Sequence, residues 1–308
     1  MDNSLIKALL DNIEKVIVGK TEKIKLLITG LLTNSHVLIE DVPGLGKTML
    51  ALSLSKSVSG KFKRIQFTPD LLPSDVTGGY VYNPKTGEFD FREGPIFANI
   101  VLADEINRTT PRTQSALLEC MQEYKVTIDG NTFTLSNPFM VIATQNPIEY
   151  QGTYPLPEAQ VDRFMMKINM GYPTEEEEVK VISEQKQVHP VETLDAVMGL
   201  EHIAKLQEEV RKVQVMPNIL NYIVKIVALT RKRDDIKVGA SPRASISLMK
   251  ASCAWAFIEG RDYVIPDDIN KLAIWTLKHR ISLEPKSLIV GKTAEIVISE
   301  ILKEIPIP

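Results

Sequence analysis

Residues 36–50 read HVLIEDVPGLGKTML, and their reading decides the fold. Val37, Leu38 and Ile39 form an apolar run that predicts a buried parallel strand. Pro43, Gly44, Leu45 and Gly46 then turn the chain, and Lys47, Thr48 and Met49 open a helix. This is the layout of a phosphate-binding loop. Glycines let backbone N–H groups approach phosphates, the lysine reaches the β- and γ-phosphates, and the Thr48 hydroxyl ligates Mg²⁺. The helix N-terminus adds its positive dipole end. The full pattern asks for glycine five residues before Gly46, where this chain has Asp41. Taken alone, the stretch also reads as a tight strand-to-helix turn.

The next apolar run, Ile100-Val101-Leu102-Ala103, ends in Asp104-Glu105. Such runs are strands buried on both faces of a parallel sheet, and open α/β sheets place ligands at the carboxyl ends of their strands. Asp104 follows the loop in the Walker-B arrangement, its carboxylate holding the Mg²⁺ shell near Thr48. Glu105 beside it can orient and polarise an attacking water. A third run, 139–143, is followed by Thr144-Gln145-Asn146-Pro147. The Asn146 amide could hold that water or the γ-phosphate, although alone it reads as an Asn-Pro turn. Arg163 in VDRF precedes a strand and Arg243 in ASPRAS opens a helix. Each alone is a surface ion pair; as a set they match the two arginines that read a γ-phosphate in nucleotide machines.

Around these motifs, helices and strands alternate. Leu5, Ile6, Leu9, Leu10 and Ile13 recur at helical spacing, 17–20 is a short break, and Ile24, Leu27, Ile28 and Leu31 share a second helical face. A second strand is expected at 62–67. The segment 68–95 carries four prolines and four glycines, with a small hairpin around 83–87. A helix is expected at 114–124, a hairpin at 125–135 around Asp129-Gly130, a short helix from 157 and a last strand at 164–168. Alternation of this kind predicts an α/β domain over 1–172. From 173 to 308 the pattern becomes helical. Thr174 caps a helix whose first turn is Glu175–Glu178, and helices are expected at 200–213, 217–232, 242–259 and 266–279. Ile219, Ile223 and Ile226 share one face; Ile246, Met249, Cys253 and Phe257 share another. This half reads as all-helical.

Bulk properties narrow the function. At 308 residues, with 44% hydrophobic and 24% charged residues, the chain has the size and composition of a two-domain globular protein. A net charge of −3 gives no support to nucleic-acid or membrane binding. Cys120 and Cys253 imply no disulfide framework, and a reducing cytoplasmic setting is expected. The N-terminal stretch is broken by Lys7, Asp11 and Glu14 and reads as an amphipathic helix, with no membrane span expected in the chain. His36, His189, His202 and His279 show no metal-ligand spacing and read as ordinary histidines.

The stretches VIVGK, LIEDVPGLGKT, IQFTPDLLPSDVTG, GPIFANIVLADEINRTTPRTQSALLECMQE, VIATQNPIEYQGTYPLPEAQVDRF and GASPRASISLMKA span nearly the whole chain. In them the chain resembles the MoxR-type ATPases of the AAA+ superfamily. Asp41 is similar to what that family tolerates; INRTTPR and Cys120 are small departures that touch nothing catalytic. The resemblance implies a P-loop αβα core with a five-stranded parallel sheet, a helical lid, and a homo-hexameric ring with ATP between neighbours. Lys47 and Thr48 would be Walker A, Asp104 and Glu105 Walker B, and Asn146 sensor 1. Arg163 would be the arginine finger given to the neighbour, and Arg243 sensor 2, acting in cis or in trans. Val18 and Gly19 would touch the adenine. Residues 68–95 would be the helix-2 insert facing the pore, and 125–135 the presensor hairpin. The resemblance further implies chaperone-like maturation or activation of client proteins, often with a partner bearing a von Willebrand factor A domain, sometimes by metal insertion.

Two other functions fit a nucleotide-binding core: a DNA motor and a low-turnover, nucleotide-gated scaffold. The complete catalytic set argues against the scaffold. Against the motor stands the charge of the two pore-facing candidates. Between Asp70 and Pro95, Lys85 and Arg92 face five carboxylates, and between Gln122 and Pro138 the net charge is −1. A DNA channel needs the opposite sign. Tyr80, Tyr82, Phe89 and Phe91 suit apolar contact with a polypeptide.

Overall fold

The computed structural model describes residues 3–147, 153–184 and 190–308. His189 and part of the stretch VIATQNPIEYQGTYPLPEAQVDRF lie outside the described residues. Helices α1 (Ser4–Glu14) and α2 (Thr21–Leu32) come first, followed by β1 (Val37–Glu40), α3 (Lys47–Ser57) and β2 (Phe62–Gln66). Next are α4 (Pro73–Thr77), the hairpin of β3 (Gly78–Asn83) and β4 (Glu88–Glu93), β5 (Ile100–Asp104) and α5 (Pro111–Glu123). A second hairpin, β6 (Lys125–Ile128) and β7 (Asn131–Thr134), leads to β8 (Met140–Gln145), α6 (Glu158–Val161) and β9 (Met166–Ile168).

Five of these strands form one parallel sheet in the order β2-β5-β8-β1-β9. Successive side chains point to opposite faces. Val37 and Ile39 of β1, Ile100 and Leu102 of β5 and Ile142 of β8 enter one apolar layer. Leu38, Val101, Ala103, Val141 and Ala143 enter the other. Burial on both faces is why these strands appear in sequence as unbroken apolar runs and not as alternation. Because β8 lies between β1 and β5, the segments after these three strands meet at one end of the sheet.

The second half contains α7 (Glu175–Glu184), α8 (Leu200–Arg211), α9 (Pro217–Leu229), α10 (Pro242–Ile258), α11 (Pro266–Leu277), α12 (Pro285–Ile289) and α13 (Ala294–Glu304). Thr174 caps α7 as expected: its hydroxyl accepts from the Glu177 N–H at 3.2 Å while the Glu177 carboxylate accepts from the Thr174 N–H at 2.9 Å. Pro217, Pro242 and Pro266 each stand at a helix start, where the missing N–H costs nothing. α2 joins the halves. Residues 26–32 are all buried, because α2 is wedged between the sheet and the helices α8 and α10. A Cβ at Gly30 would come within 2.7 Å of Val37, so glycine lets α2 lie close against β1.

Two expectations for this half are corrected. It is not all-helical: β10 (Ile236–Val238) pairs antiparallel with β11 (Ser282–Leu283). Strands of three and two residues are too short to show a period of two. Ile246 does not share the buried face of α10 and is exposed. The buried face of α10 combines small residues, Ala244, Ser247, Ala251 and Ala254, with the large side chains of Leu248, Trp255, Phe257 and Ile258. Among the described residues no helix is long and apolar enough to cross a membrane. His36 is buried at the start of β1, its Nε2 hydrogen-bonded to the Met121 carbonyl at 2.8 Å and its Nδ1 accepting from the Val141 N–H at 3.0 Å. With this two-sided anchoring it is a core histidine, as its lack of ligand spacing suggested.

Candidate active site

The loop between β1 and α3 is shaped by two glycines. Gly44 and Gly46 have φ of +87° and +77°, a region that favours glycine, and no atom lies within 4 Å of a Cβ built on either. The first backbone bond of α3 runs from the Leu50 N–H to the Gly46 carbonyl, so the amides of Lys47, Thr48 and Met49 precede it. Lys47 Nζ donates to the Asp41 carbonyl at 2.8 Å. Burial pulls the Lys47 ammonium below the ordinary lysine value, and the carboxylates of Asp104, Asp41 and Glu105 pull it back part of the way. The departure at Asp41 has a long-range partner. Its carboxylate accepts from the Met170 N–H, tying the loop to the chain after β9.

Asp104 ends β5 and is nearly buried. Its Oδ1 accepts from the Thr144 hydroxyl at 2.6 Å; its Oδ2 accepts from Arg64 Nη2 at 2.6 Å and Nε at 3.2 Å. Glu105 adopts the left-handed region, φ +57° and ψ +49°, unusual for a residue with a side chain. Its N–H donates to Thr144 Oγ1 at 2.8 Å. Its Oε2 accepts from Gln66 Nε2 at 2.8 Å and from Arg108 Nη1 at 2.9 Å. Thr144, on the neighbouring strand β8, thus holds both acidic residues through one hydroxyl.

A cleft of about 240 Å³ is lined by Pro43, Gly44, Gly46, Lys47, Thr48 and Met49 on one side and by Arg64, Gln66, Asp104 and Glu105 on the other. Its donor set fits a nucleotide triphosphate with magnesium. The glycine Cβ positions are open to a phosphate, the Lys47 ammonium lines the same cleft, and Asp104 already carries a cation, the Arg64 guanidinium. Thr48 and Asp104 are hard oxygen donors of the kind Mg²⁺ takes.

The remaining expected site residues lie elsewhere. Leu45 packs against the first apolar layer. Asn146, just past β8, is buried; its carbonyl accepts from Asn107 Nδ2 at 3.4 Å, and it lines a second cleft with Gln145, Lys167 and His279. Val18 and Gly19 sit in the turn between α1 and α2. There the Glu177 side chain of α7 covers Gly19, so that a Cβ on Gly19 would come within 1.8 Å of the carboxylate. Arg163 is half-buried and makes no ion pair among the described residues. Arg243 lies 3.7 Å from Asp162, the residue before Arg163, and not in the loop cleft. Buried Arg280 braces the same Asp162 at 2.6 Å.

Arg64, Gln66, Arg108 and Thr144 were not singled out from sequence. The signal available was the alternation of Arg64 and Gln66 on one face of β2, and the Thr144 hydroxyl at a strand end. Neither shows by itself which carboxylate it would meet.

The profile of the ATPase family associated with various cellular activities (AAA) matches residues 36–166, and that of the AAA lid domain matches residues 228–301. The chain is 54% identical to YeaC of Bacillus subtilis, itself uncharacterized, over 99% of this chain and 95% of that one. It is 43% identical to Chaperone MoxR1 of Mycobacterium tuberculosis, over 96% of this chain and 80% of the relative. A crystal structure from Cytophaga hutchinsonii, of a chain proposed to be an ATPase, superposes with a TM-score of 0.93 at 42% identity, covering 99% of this chain and 96% of the other. With its P-loop αβα core and helical lid, the chain belongs to the MoxR family of AAA+ ATPases.

Proposed function

We propose that the protein hydrolyses ATP with Mg²⁺ and couples turnover to chaperone-like remodelling, maturation or activation of partner proteins. One observation carries the catalytic part: Lys47, Thr48, Asp104 and Glu105 line a single cleft at the carboxyl ends of β1 and β5. Residues 1–172 form the nucleotide-binding core and 173–308 the linker and lid. The loop from Pro43 to Met49 wraps the phosphates, with Lys47 neutralising their charge. Thr48 and Asp104 hold the magnesium ion, which when bound supplies further charge neutralisation. Glu105 orients the attacking water and accepts its proton. Asn146 reaches the γ-phosphate side of the site. Val18 and Gly19 serve the adenine, with Glu177 rotating aside to admit it.

Arg163 and Arg243 act on a neighbour's ATP in a homo-hexameric ring. Their common side, marked by Asp162, supports this reading, because neither arginine lines the chain's own loop cleft. The chaperone-like role is supported by the name of the M. tuberculosis relative. Clients are cytoplasmic proteins, with a von Willebrand factor A domain protein as a further partner. The insert at 68–95 and the hairpin at 125–135 face the pore.

The test is phosphate release from Mg·ATP. Lys47→Ala should lose nucleotide binding. Glu105→Gln should bind ATP like the parent and release phosphate at least about a hundredfold more slowly, the scale of a positioned general base. Equal turnover in Glu105→Gln and the parent would remove the catalytic assignment.

A further inference from the structure

The end of α2 and the flanks of α8 and α10 enclose a separate cavity of about 200 Å³, which shares no residue with the loop cleft or the Asn146 cleft. Its walls are apolar: Leu32 from α2, Val210 from α8, and Met249 and Cys253 from α10. Burial pushes the Cys253 thiol up to about 11, so it stays a neutral wall. Thr33 also borders the cavity, its hydroxyl already donated to the Thr29 carbonyl at 2.8 Å. Wall atoms that face a void lack dispersion partners, which a body of matching shape restores. An apolar cavity of about 150 Å³ is enough to admit benzene, so this one has room for a six-membered ring. It lies below the roughly 300–1,000 Å³ of sites for drug-sized ligands, which limits the occupant to a small molecule.

Charge stands on the solvent side. Arg211, in the last turn of α8, and Lys250 of α10 line the same cavity and are exposed. Neither side chain has a hydrogen bond or ion pair among the described residues. Among those residues no carboxylate lines the cavity, and Glu209, two residues before Arg211, is taken by Lys212 at 2.5 Å. Two unpartnered cations beside an apolar hollow complement an anion with an apolar body. A carboxylate suits them, because the guanidinium fork can only donate and matches its two oxygens in a bidentate pair. The walls come from both halves of the chain, and Gln207 Nε2 of α8 donates to the Leu31 carbonyl of α2 at 2.8 Å beside them.

We propose that this cavity is a binding site for a small carboxylic acid with a compact apolar body of about six carbons, its ring against Leu32, Val210, Met249 and Cys253 and its carboxylate on Arg211 and Lys250. Bound there, the acid bridges α2 to α8 and α10 and holds these helices together. The site needs no nucleotide, so it stands apart from the ATPase reading.

The experiment titrates the full chain by calorimetry and thermal melting with cyclohexanecarboxylate, using cyclohexylmethanol and cyclohexylmethylamine as neutral and cationic probes of similar shape. The carboxylate should bind saturably, raise the melting temperature and slow amide hydrogen exchange over 26–33 and 205–211. The other two probes should bind at least about tenfold more weakly, the scale of a charge-assisted hydrogen bond. Arg211→Ala and Lys250→Ala should each weaken the carboxylate about tenfold for the same reason, and Arg211→Glu should weaken it further. Cys253→Phe fills the cavity and should abolish binding; if that variant does not fold, Arg211→Glu, at an exposed position, decides alone. No saturable binding of the carboxylate to the parent up to about 10 mM, the weak limit for a ligand of this size, overturns the proposal. So does equal affinity for the three probes, and so does parent-like affinity in Arg211→Glu.

Discussion

Phe91 of the β3–β4 hairpin stacks on Phe133 of the β6–β7 hairpin, with ring centroids 4.3 Å apart and planes 13° from parallel. Phe97 meets both rings edge-on, and Asn131 Nδ2 donates to the Tyr80 hydroxyl at 2.8 Å. The two hairpins are thereby one body, although some forty residues of chain separate the partner rings. Movement of one would carry the other with it. The stack is expected to appear as a coupling of about 0.5–1.5 kcal/mol in a double-mutant cycle of Phe91→Ala and Phe133→Ala, measured by urea unfolding. Strictly additive losses would mean that the hairpins are independent.

Thr144→Val removes one hydroxyl at nearly constant shape. It leaves Asp104 Oδ1 and the Glu105 N–H without their partner. We expect a stability loss of about 1–3 kcal/mol, the range for unsatisfied buried polar groups, together with slower ATP turnover. Thr144→Ser keeps the hydroxyl and should recover most of the turnover. If serine and valine were equally impaired, the methyl and not the hydroxyl would be what positions Glu105.

What was legible in the sequence was local. The runs 37–39, 100–103 and 139–143 are strands because burial on both faces requires continuous apolar side chains, and that requirement is written residue by residue. The loop glycines and the Asp104-Glu105 pair are contiguous motifs of the same kind. Arg64 was not legible, because its meaning comes from β2 landing beside β5, a pairing across almost forty residues. Asp41 was visible only as an exception, and its partner, the Met170 N–H, is 129 residues away. Ile246 is exposed because the buried face of α10 begins at Ala244, Ser247 and Leu248, while the set Ile246, Met249, Cys253 and Phe257 joins that face only through its last two members.

His36 predicts an acid-sensitive core. Burial pulls it from the ordinary 6.5 down to about 4, against a smaller upward pull from the Met121 carbonyl. Its folded pKa is below the unfolded one, so the unfolded chain takes up the proton first. The stability is therefore complete above pH 6.5 and declines as the pH falls from there toward 4, by about 3 kcal/mol in total for this residue. His279, pulled well below its ordinary value by burial and then by Arg280, adds in the same direction. Urea titrations at pH 7, 5.5 and 4.5 check the slope. His36→Gln retains one donor and one acceptor without a titrating proton, and should flatten it; identical slopes would place the acid sensitivity elsewhere.

Arg243 sits on Asp162, beside Arg163 and away from its own loop cleft. Both arginines should therefore serve a neighbouring subunit. Arg243→Ala and Arg163→Ala are each expected to be inactive alone. Either, mixed with inactive Lys47→Ala subunits, should regain part of the activity, because a mixed interface joins an intact loop to intact arginines. Recovery with Arg163→Ala but not with Arg243→Ala, in rings shown to exchange subunits, would return Arg243 to its own subunit's site.

The tip of the β3–β4 hairpin decides between a protein and a DNA substrate. Tyr82 and Phe89 face each other across it at 5.4 Å between centroids, exposed by 54% and 66%, with Val81 exposed beside them. Aromatic rings can bind either a polypeptide or unstacked bases, so the charge around them is decisive. Five carboxylates against Lys85 and Arg92 make this segment net negative, and phosphate would be repelled where a DNA motor needs to attract it. An unstructured polypeptide such as casein should stimulate ATP turnover, and the Tyr82→Ser/Phe89→Ser double variant should lose that stimulation while keeping its basal rate. Labelled single- and double-stranded DNA at about 50 mM salt, where electrostatic binding is strongest, should bind weakly and stimulate nothing. Tight, salt-sensitive DNA binding with faster turnover would instead make this protein a nucleic-acid motor whose contacts lie outside both hairpins.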